Sequence, residues 1–140
     1  MNITREEAIR KHREMWNWIA EQYECGHGTT VNILKRNFIK KYYPGDNPYA
    51  ICYCCEYSTE ISEIDGKSLS LKYNCDMCPL EWPSDYHDLM CCYKRRNHKE
   101  VIHGLYKQIL YYSSQVMDYK KAAIIAREIA NLPERKIEEE

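Results

Sequence analysis

The chain has 140 residues, a length that suits one domain with one modest core; its 20 Lys and Arg against 21 Asp and Glu leave a formal net charge of −1. That balance excludes the overall basic footprint of a protein that coats nucleic acid. The longest aliphatic run, 122–126, is far shorter than the ~20 apolar residues of a membrane span. The charged start, Met1-Asn-Ile-Thr-Arg-Glu-Glu7, shows no apolar stretch of a secretory signal, so a cytoplasmic, membrane-free setting is expected.

Residues 4–22 read as a helix. Thr4 followed three positions on by Glu7 is a capping-box pattern. Ile9, Trp16 and Ile19, with Ala8, Met15 and Ala20 beside them, make an apolar stripe of near-helical period, and Arg10, Lys11, Arg13 and Glu14 take the remaining face. Trp16 and Trp18 stand about 200° apart on a helical wheel. Either the helix is covered on two sides or one Trp is exposed for a partner; the first is favoured, because Trp is often only partly buried.

Cys25-Gly-His-Gly28 breaks this helix, and Thr29-Thr30 caps a second one at about 30–41, with Val31, Leu34 and Phe38 on one side. Its other face carries Lys35, Arg36, Lys40 and Lys41 and no acid. Pro44-Gly45-Asp46-Asn47-Pro48 then closes an N-terminal helical part, 1–44, in a turn.

The next part, 45–95, holds most of the eight cysteines. A disulfide framework requires an oxidising compartment, which nothing here indicates. Cys52-Tyr-Cys-Cys55 and Cys75-Asp-Met-Cys78 form C-x2-C-x19-C-x2-C, a spacing that suits one zinc ion. Two thiolates three apart on a tight turn occupy two corners of a tetrahedron, and the second pair closes the shell. With no corner left for water, the Zn²⁺ on Cys52, Cys55, Cys75 and Cys78 is structural rather than catalytic. Between the pairs, Glu60 to Ile64 and Lys67 to Leu71 flank Asp65-Gly66, a hairpin signal, so the segment reads as a zinc ribbon or knuckle. Trp82, close behind the second pair, shields the cluster from water.

The ligand register stays open. Cys54 can replace Cys52 or Cys55 if the turn shifts, and Cys91 or Cys92 can replace a knuckle cysteine. Otherwise Cys54, Cys91 and Cys92 are small, half-buried residues. A second metal site from Cys25, His27 and the Cys91/Cys92/His98 region lacks a standard ligand spacing.

From about 99 the pattern is helical again, with Val101, Ile102, Leu105, Tyr106, Ile109, Leu110 and Tyr112 on one broad face. Ser113-Ser114 and Asp118 allow a break. Ala122, Ala123, Ile125, Ala126, Ile129, Ala130 and Leu132 continue in a small-residue helix that Pro133 stops, and the tail 134–140 reads as frayed. With 96–140 as a C-terminal helical part, the expected class is α+β, mainly α: one domain whose two helical ends surround a small zinc-bound β-hairpin. On this reading zinc substitutes for core that a chain with one Phe lacks.

Charge is unevenly spread. Residues 46–88 hold nine acids and two bases, a net −7, which is wrong for a zinc finger that grips phosphate. The flanks are basic: Lys35 to Lys41 on one side and Lys94 to Lys107 on the other, with Tyr42, Tyr43, Tyr93 and Tyr106 interleaved. If the flanks meet, they can hold single-stranded nucleic acid or a nucleotide by stacking and charge; an ordinary solvated surface is the plainer reading.

Enzyme signatures are poor. His12-Arg-Glu14 gives the H-x-E of a zinc deaminase, but no Pro precedes either C-x-x-C. An HNH-type nuclease would draw on Asp85, His87, Asn97, His98 and His103, without the Asp-His pair on a strand that such a site needs.

The order Thr4-Arg-Glu-Glu-Ala-Ile-Arg-Lys-His12 with Trp16, then Cys52-Tyr-Cys-Cys-Glu-Tyr57, then Cys75-Asp-Met-Cys-Pro79 with Trp82, then Ala122 to Pro133, resembles small four-cysteine zinc-binding proteins encoded by phages and prophages of Gram-positive bacteria. The resemblance implies a cytoplasmic, phage-associated setting and no particular activity. By analogy with other small phage proteins, the expected function is a non-enzymatic, zinc-stabilised interaction module that inhibits or modulates a host or defence protein. Trp18 and exposed tyrosines would anchor it, and Lys35, Arg36, Lys40, Lys41, Tyr93, Lys94, Arg95 and Arg96 are the further candidate contact residues. Nucleic-acid or nucleotide binding through the same basic flanks is the alternative.

Overall fold

Helix α1, Arg5–Glu24, starts at the cap the sequence supplies: the Thr4 hydroxyl oxygen accepts from the Glu7 backbone N–H at 3.2 Å in the computed structural model. That structure describes residues 3–46, 53–64, 68–73, 78–81 and 105–136. The Glu7 carboxylate turns away from the cap to Lys11, one turn on, at 3.2 Å. The order continues with α2 (Val31–Tyr42), α3 (Tyr53–Ser58), β1 (Thr59–Ile64), β2 (Ser68–Tyr73), α4 (Leu105–Ser114) and α5 (Tyr119–Ala130). Strands β1 and β2 pair antiparallel, Thr59 opposite Tyr73 and Ile64 opposite Ser68.

Helix α1 is the axis of the fold. It packs along α5, α2 and α3, and α4 packs on α5 and α2. Trp16 is fully buried and meets the Tyr106 ring edge-on at 6.0 Å. Trp18, on the other flank, is half-buried against Phe38, with ring centres 5.9 Å apart. The helix is therefore covered on two sides. At the α2 start, Thr30 makes no side-chain cap; the Val31 N–H donates instead to Ser113 Oγ of α4 at 3.3 Å. Asp118 caps α5 by accepting from the Lys121 N–H at 3.1 Å.

The expected fold class needs correction. The chain is mainly helical, and the buried side chains of α1, α2, α4 and α5 meet directly in one core cluster. Among the described residues no group of three or more His, Cys, Asp or Glu side chains stands where it could hold a metal ion. A zinc-bound hairpin is thus not the centre around which the helices are arranged. The reason lies in the aromatic residues: Trp16, Tyr23, Phe38, Tyr53 and Tyr106 are all buried, and tyrosine fills the volume that a Phe-poor composition seemed to lack. The first cysteine turn is also not a free-standing knuckle, since residues 53–58 are helical and Tyr53 and Cys54 belong to the core.

The end of α5 is tied down by α1. Arg13 donates to the carbonyls of Ala130 at 2.7 Å and Leu132 at 2.9 Å, and His12 Nε2 lies 2.9 Å from the Ile129 carbonyl. The Arg13 bonds supply donors at and just past the end of α5, where intrahelical donors run out, and the Ile129 carbonyl also accepts from the Leu132 N–H at 3.5 Å. Nor are the residues after Pro133 all frayed. Glu134 forms an antiparallel bridge with Leu80, and the Arg135 N–H donates to the Pro79 carbonyl at 2.8 Å. No helix among the described residues is long and apolar enough to cross a membrane.

Candidate functional site

The outward face of α2 gathers most of the described candidate residues. Arg36, Lys40 and Lys41 are exposed on it, and the helix carries no acid. At its C-terminal end four aromatic rings form a continuous cluster. Phe38 lies 5.0 Å from Tyr42 and 5.9 Å from Tyr43, and Trp18 of α1 reaches across to Tyr42 at 6.4 Å. Tyr42 is 48% exposed, so the cluster runs from the core to the surface, and the Lys41 ammonium stands 5.3 Å over the Tyr42 ring. The result is a cationic helix face ending in an aromatic knob.

Lys35 is not part of that face. It is buried at 6% exposure, with its ammonium donating to the Tyr106 hydroxyl at 3.1 Å and lying 4.6 Å from that ring's centre. The helical phase explains this: Lys35 follows Leu34 and shares its side with Val31 and Phe38, so its stem runs through the core. Tyr93, Lys94, Arg95 and Arg96 lie outside the described residues, as do Cys91, Cys92, Trp82, His87, Asn97, His98 and His103.

A buried cation fixes the turn that follows α2. Lys11 donates to Asp46 Oδ2 at 2.7 Å, sits 4.2 Å from the centre of the Tyr43 ring and 5.5 Å from that of Tyr53, and also pairs with Glu7. Tyr53 donates its hydroxyl to the same Asp46 oxygen at 3.0 Å, and Tyr43 donates to Glu14. Burial by itself would depress the Lys11 ammonium; Asp46 and Glu7 outweigh it and hold the pKa above that of an ordinary lysine. Burial, reinforced by the neighbouring carboxylates, raises Tyr53 and Tyr43. Lys11 reads in the sequence as a surface residue, and only its Glu7 pairing at helical spacing is visible there. Asp46 and the tyrosines reach it through tertiary folding.

Of the four predicted zinc ligands, Cys52 and Cys75 are outside the described residues and Cys55 is described only as part of the α3 backbone. Cys78 is buried at 1% exposure, and its carbonyl accepts from Arg135 Nε at 2.9 Å. Cys54, read above as half-buried, is fully buried and directs its thiol to the Ala8 carbonyl at 3.8 Å. Cys25 and His27 are both exposed in the turn after α1. The H-x-E string is split, with His12 buried against α5 and Glu14 exposed beside Arg10 at 3.1 Å and bound to Tyr43. Comparison of the chain with family models, curated proteins and solved structures finds no match.

Proposed function

We propose that this protein is a non-enzymatic interaction module that holds an acidic face of a partner protein on α2. The carrying observation is that three exposed cations, Arg36, Lys40 and Lys41, lie on an acid-free helix whose Phe38 and Tyr42 form an aromatic cluster with Trp18 of α1. Cations steer an acidic partner into place, and desolvated Tyr and Trp side chains carry much of an interface's energy. Following the resemblance to phage zinc proteins, the partner is a host or defence protein in the bacterial cytoplasm.

One Zn²⁺ on Cys52, Cys55, Cys75 and Cys78 belongs to this proposal. Both ends of the cysteine segment are fastened near the start of α1, which supports it: Cys54 rests on Ala8, and Cys78 is tied to Arg135, whose carbonyl accepts from Arg5 at 2.8 Å. The inward turn of the Cys54 thiol favours Cys52 and Cys55 as the first pair. The zinc would hold the segment's conformation and take no part in a reaction.

The second reading, single-stranded nucleic acid, is favoured by the Lys41–Tyr42 stack alone. Capture from bacterial lysate separates the two. A protein held by the wild type, released by Lys40→Glu/Lys41→Glu and by Tyr42→Ala, and insensitive to nuclease supports the first. Capture that nuclease abolishes, with a steep linear fall of log affinity against log salt, supports the second. Retention of every partner by all these variants would reject the α2 face.

A further inference from the structure

The cationic face of α2 ends where a helix is least well held. The last turn of a helix frays, because its carbonyls run out of intrahelical donors, and Lys40, Lys41 and Tyr42 all lie in that turn. Tyr42 is 48% exposed, so its place depends on the backbone that carries it. The next residue, Tyr43, is held through its backbone, its ring and its hydroxyl. Its N–H donates to the Ile39 carbonyl at 2.9 Å, and its own carbonyl accepts from the Asp46 N–H at 2.9 Å. Its ring lies against Phe38, with the Lys11 ammonium over it. Its hydroxyl donates to Glu14 Oε2 and accepts from Arg10 Nη1 at 3.0 Å.

Arg10 and Glu14 stand one turn apart on α1 and pair with each other at 3.1 Å, so the three side chains close a triangle of hydrogen bonds. The triangle does two things for the α2 face. It ties the end of α2 to α1 at the residue beside Tyr42. It also occupies both carboxylate oxygens of Glu14, Oε1 with Arg10 and Oε2 with Tyr43, so that this negative charge is spent on its own partners and not on repelling an acidic ligand. The Arg10 and Glu14 side chains are 55% and 42% exposed, and exposed pairs of this kind contribute little to overall stability. The effect of the triangle therefore falls on local geometry.

We infer that Tyr43 is a positioning residue for the α2 docking face: through Glu14 and Arg10 its hydroxyl holds the last turn of α2 in a single geometry that presents Lys40, Lys41 and Tyr42 together. The inference rests on the reading of α2 as the docking face. Tyr43→Phe tests it, since that change removes the hydroxyl and keeps the ring and the net charge. In the free protein, amide hydrogen exchange at 40–43 should rise several-fold while the melting temperature stays nearly unchanged. The binding probe is a fluorescein-labelled random copolymer of Glu and Tyr. Its affinity for Tyr43→Phe should be about threefold weaker, chiefly through slower association, as expected when the binding-ready geometry is populated about one third of the time. In a Glu14→Ala background the same change should have a smaller effect, because the hydroxyl acts through that carboxylate. Unchanged exchange at 40–43 would overturn the inference, as would raised exchange with unchanged affinity, which would leave the hydroxyl a purely structural role. A loss carried by faster dissociation with unchanged exchange would make Tyr43 a direct contact and also overturn it. Lys40→Glu/Lys41→Glu separates the two readings. If that variant binds the copolymer as wild type does, the α2 face itself fails and the inference with it; if it loses binding while Tyr43→Phe does not, only the inference falls.

Discussion

Lys11 and Asp46 meet at 2.7 Å with the lysine 6% exposed, so one ion pair locks the turn after α2 onto the middle of α1. Asp46 also receives the Tyr53 hydroxyl, so one carboxylate joins α1 to the start of α3. Removing one partner leaves the other poorly solvated. We expect Lys11→Met and Asp46→Asn each to cost about 1–3 kcal/mol in denaturant unfolding. The double variant should cost less than the sum, because both changes break one network. Strict additivity would show that the pair is not coupled.

The turn network and the core tyrosines predict an alkaline weakness. Burial pushes Tyr23 up to about 12 from an ordinary 10.0, and burial together with Asp46 raises Tyr53 as well. Lys11 is raised by its carboxylates against the opposing effect of burial. For each group the folded state holds its proton more tightly than the unfolded chain. Their stabilisation is complete below the unfolded pKa values and is lost as pH climbs through the folded ones. Melting temperature should therefore begin to fall near pH 10 and continue downward to about 12. Tyr53→Phe should flatten that slope. An unchanged slope, read beside tyrosinate absorbance, would remove Tyr53 from the account.

Arg13 carries the junction between α1 and the end of α5. Its two hydrogen bonds to carbonyls are charge-assisted, and no intrahelical donor replaces them. Arg13→Ala should destabilise by about 2–3 kcal/mol. Arg13→Lys should recover less than half of that loss, because one ammonium does not span the Ala130 and Leu132 carbonyls as the guanidinium fork does. Hydrogen exchange should localise the loosening to 129–135.

Metal content can be read without reference to a partner. Protein purified without chelator should carry one zinc per chain in native mass spectrometry, and Cys75→Ser should lose it. Because Cys78 is the one proposed zinc ligand among the described members of the core that α1, α2, α4 and α5 share, chelation should leave most helical circular dichroism intact. Increased exchange should be confined to the cysteine segment. Collapse of the whole helix signal on chelation would show that zinc supports the core after all.

Much of the helical frame was legible from local chemistry. Thr4, the Cys25–Gly28 break, Asp118 and Pro133 mark ends within a few residues of those observed, since caps and breakers act over short distances. Lys11 and Lys35 were not legible, because a charge pattern shows where a lysine points but not what meets it: Lys35 is buried through a hydroxyl 71 residues away. Trp18 was read correctly as one of two oppositely placed tryptophans, yet its cover, Phe38 and Tyr42, comes from another helix. The exposure of Ile124 is implicit in the sequence as well. Five consecutive aliphatic residues on a helix cannot all face inward, and the one facing outward is Ile124.

The bond from Arg5 to the Arg135 carbonyl places the beginning and the end of the described chain side by side. The described part of the chain is therefore suited to circular permutation: a short linker can join the neighbourhood of Arg135 to that of Arg5, and new ends can open in the exposed 115–117 connection between α4 and α5. Such a rearranged chain keeps α1 against α5 and the Leu80–Glu134 bridge while relieving the left-handed backbone at Met117. The bond between Arg5 and Arg135 is in effect the seam of a closed ring.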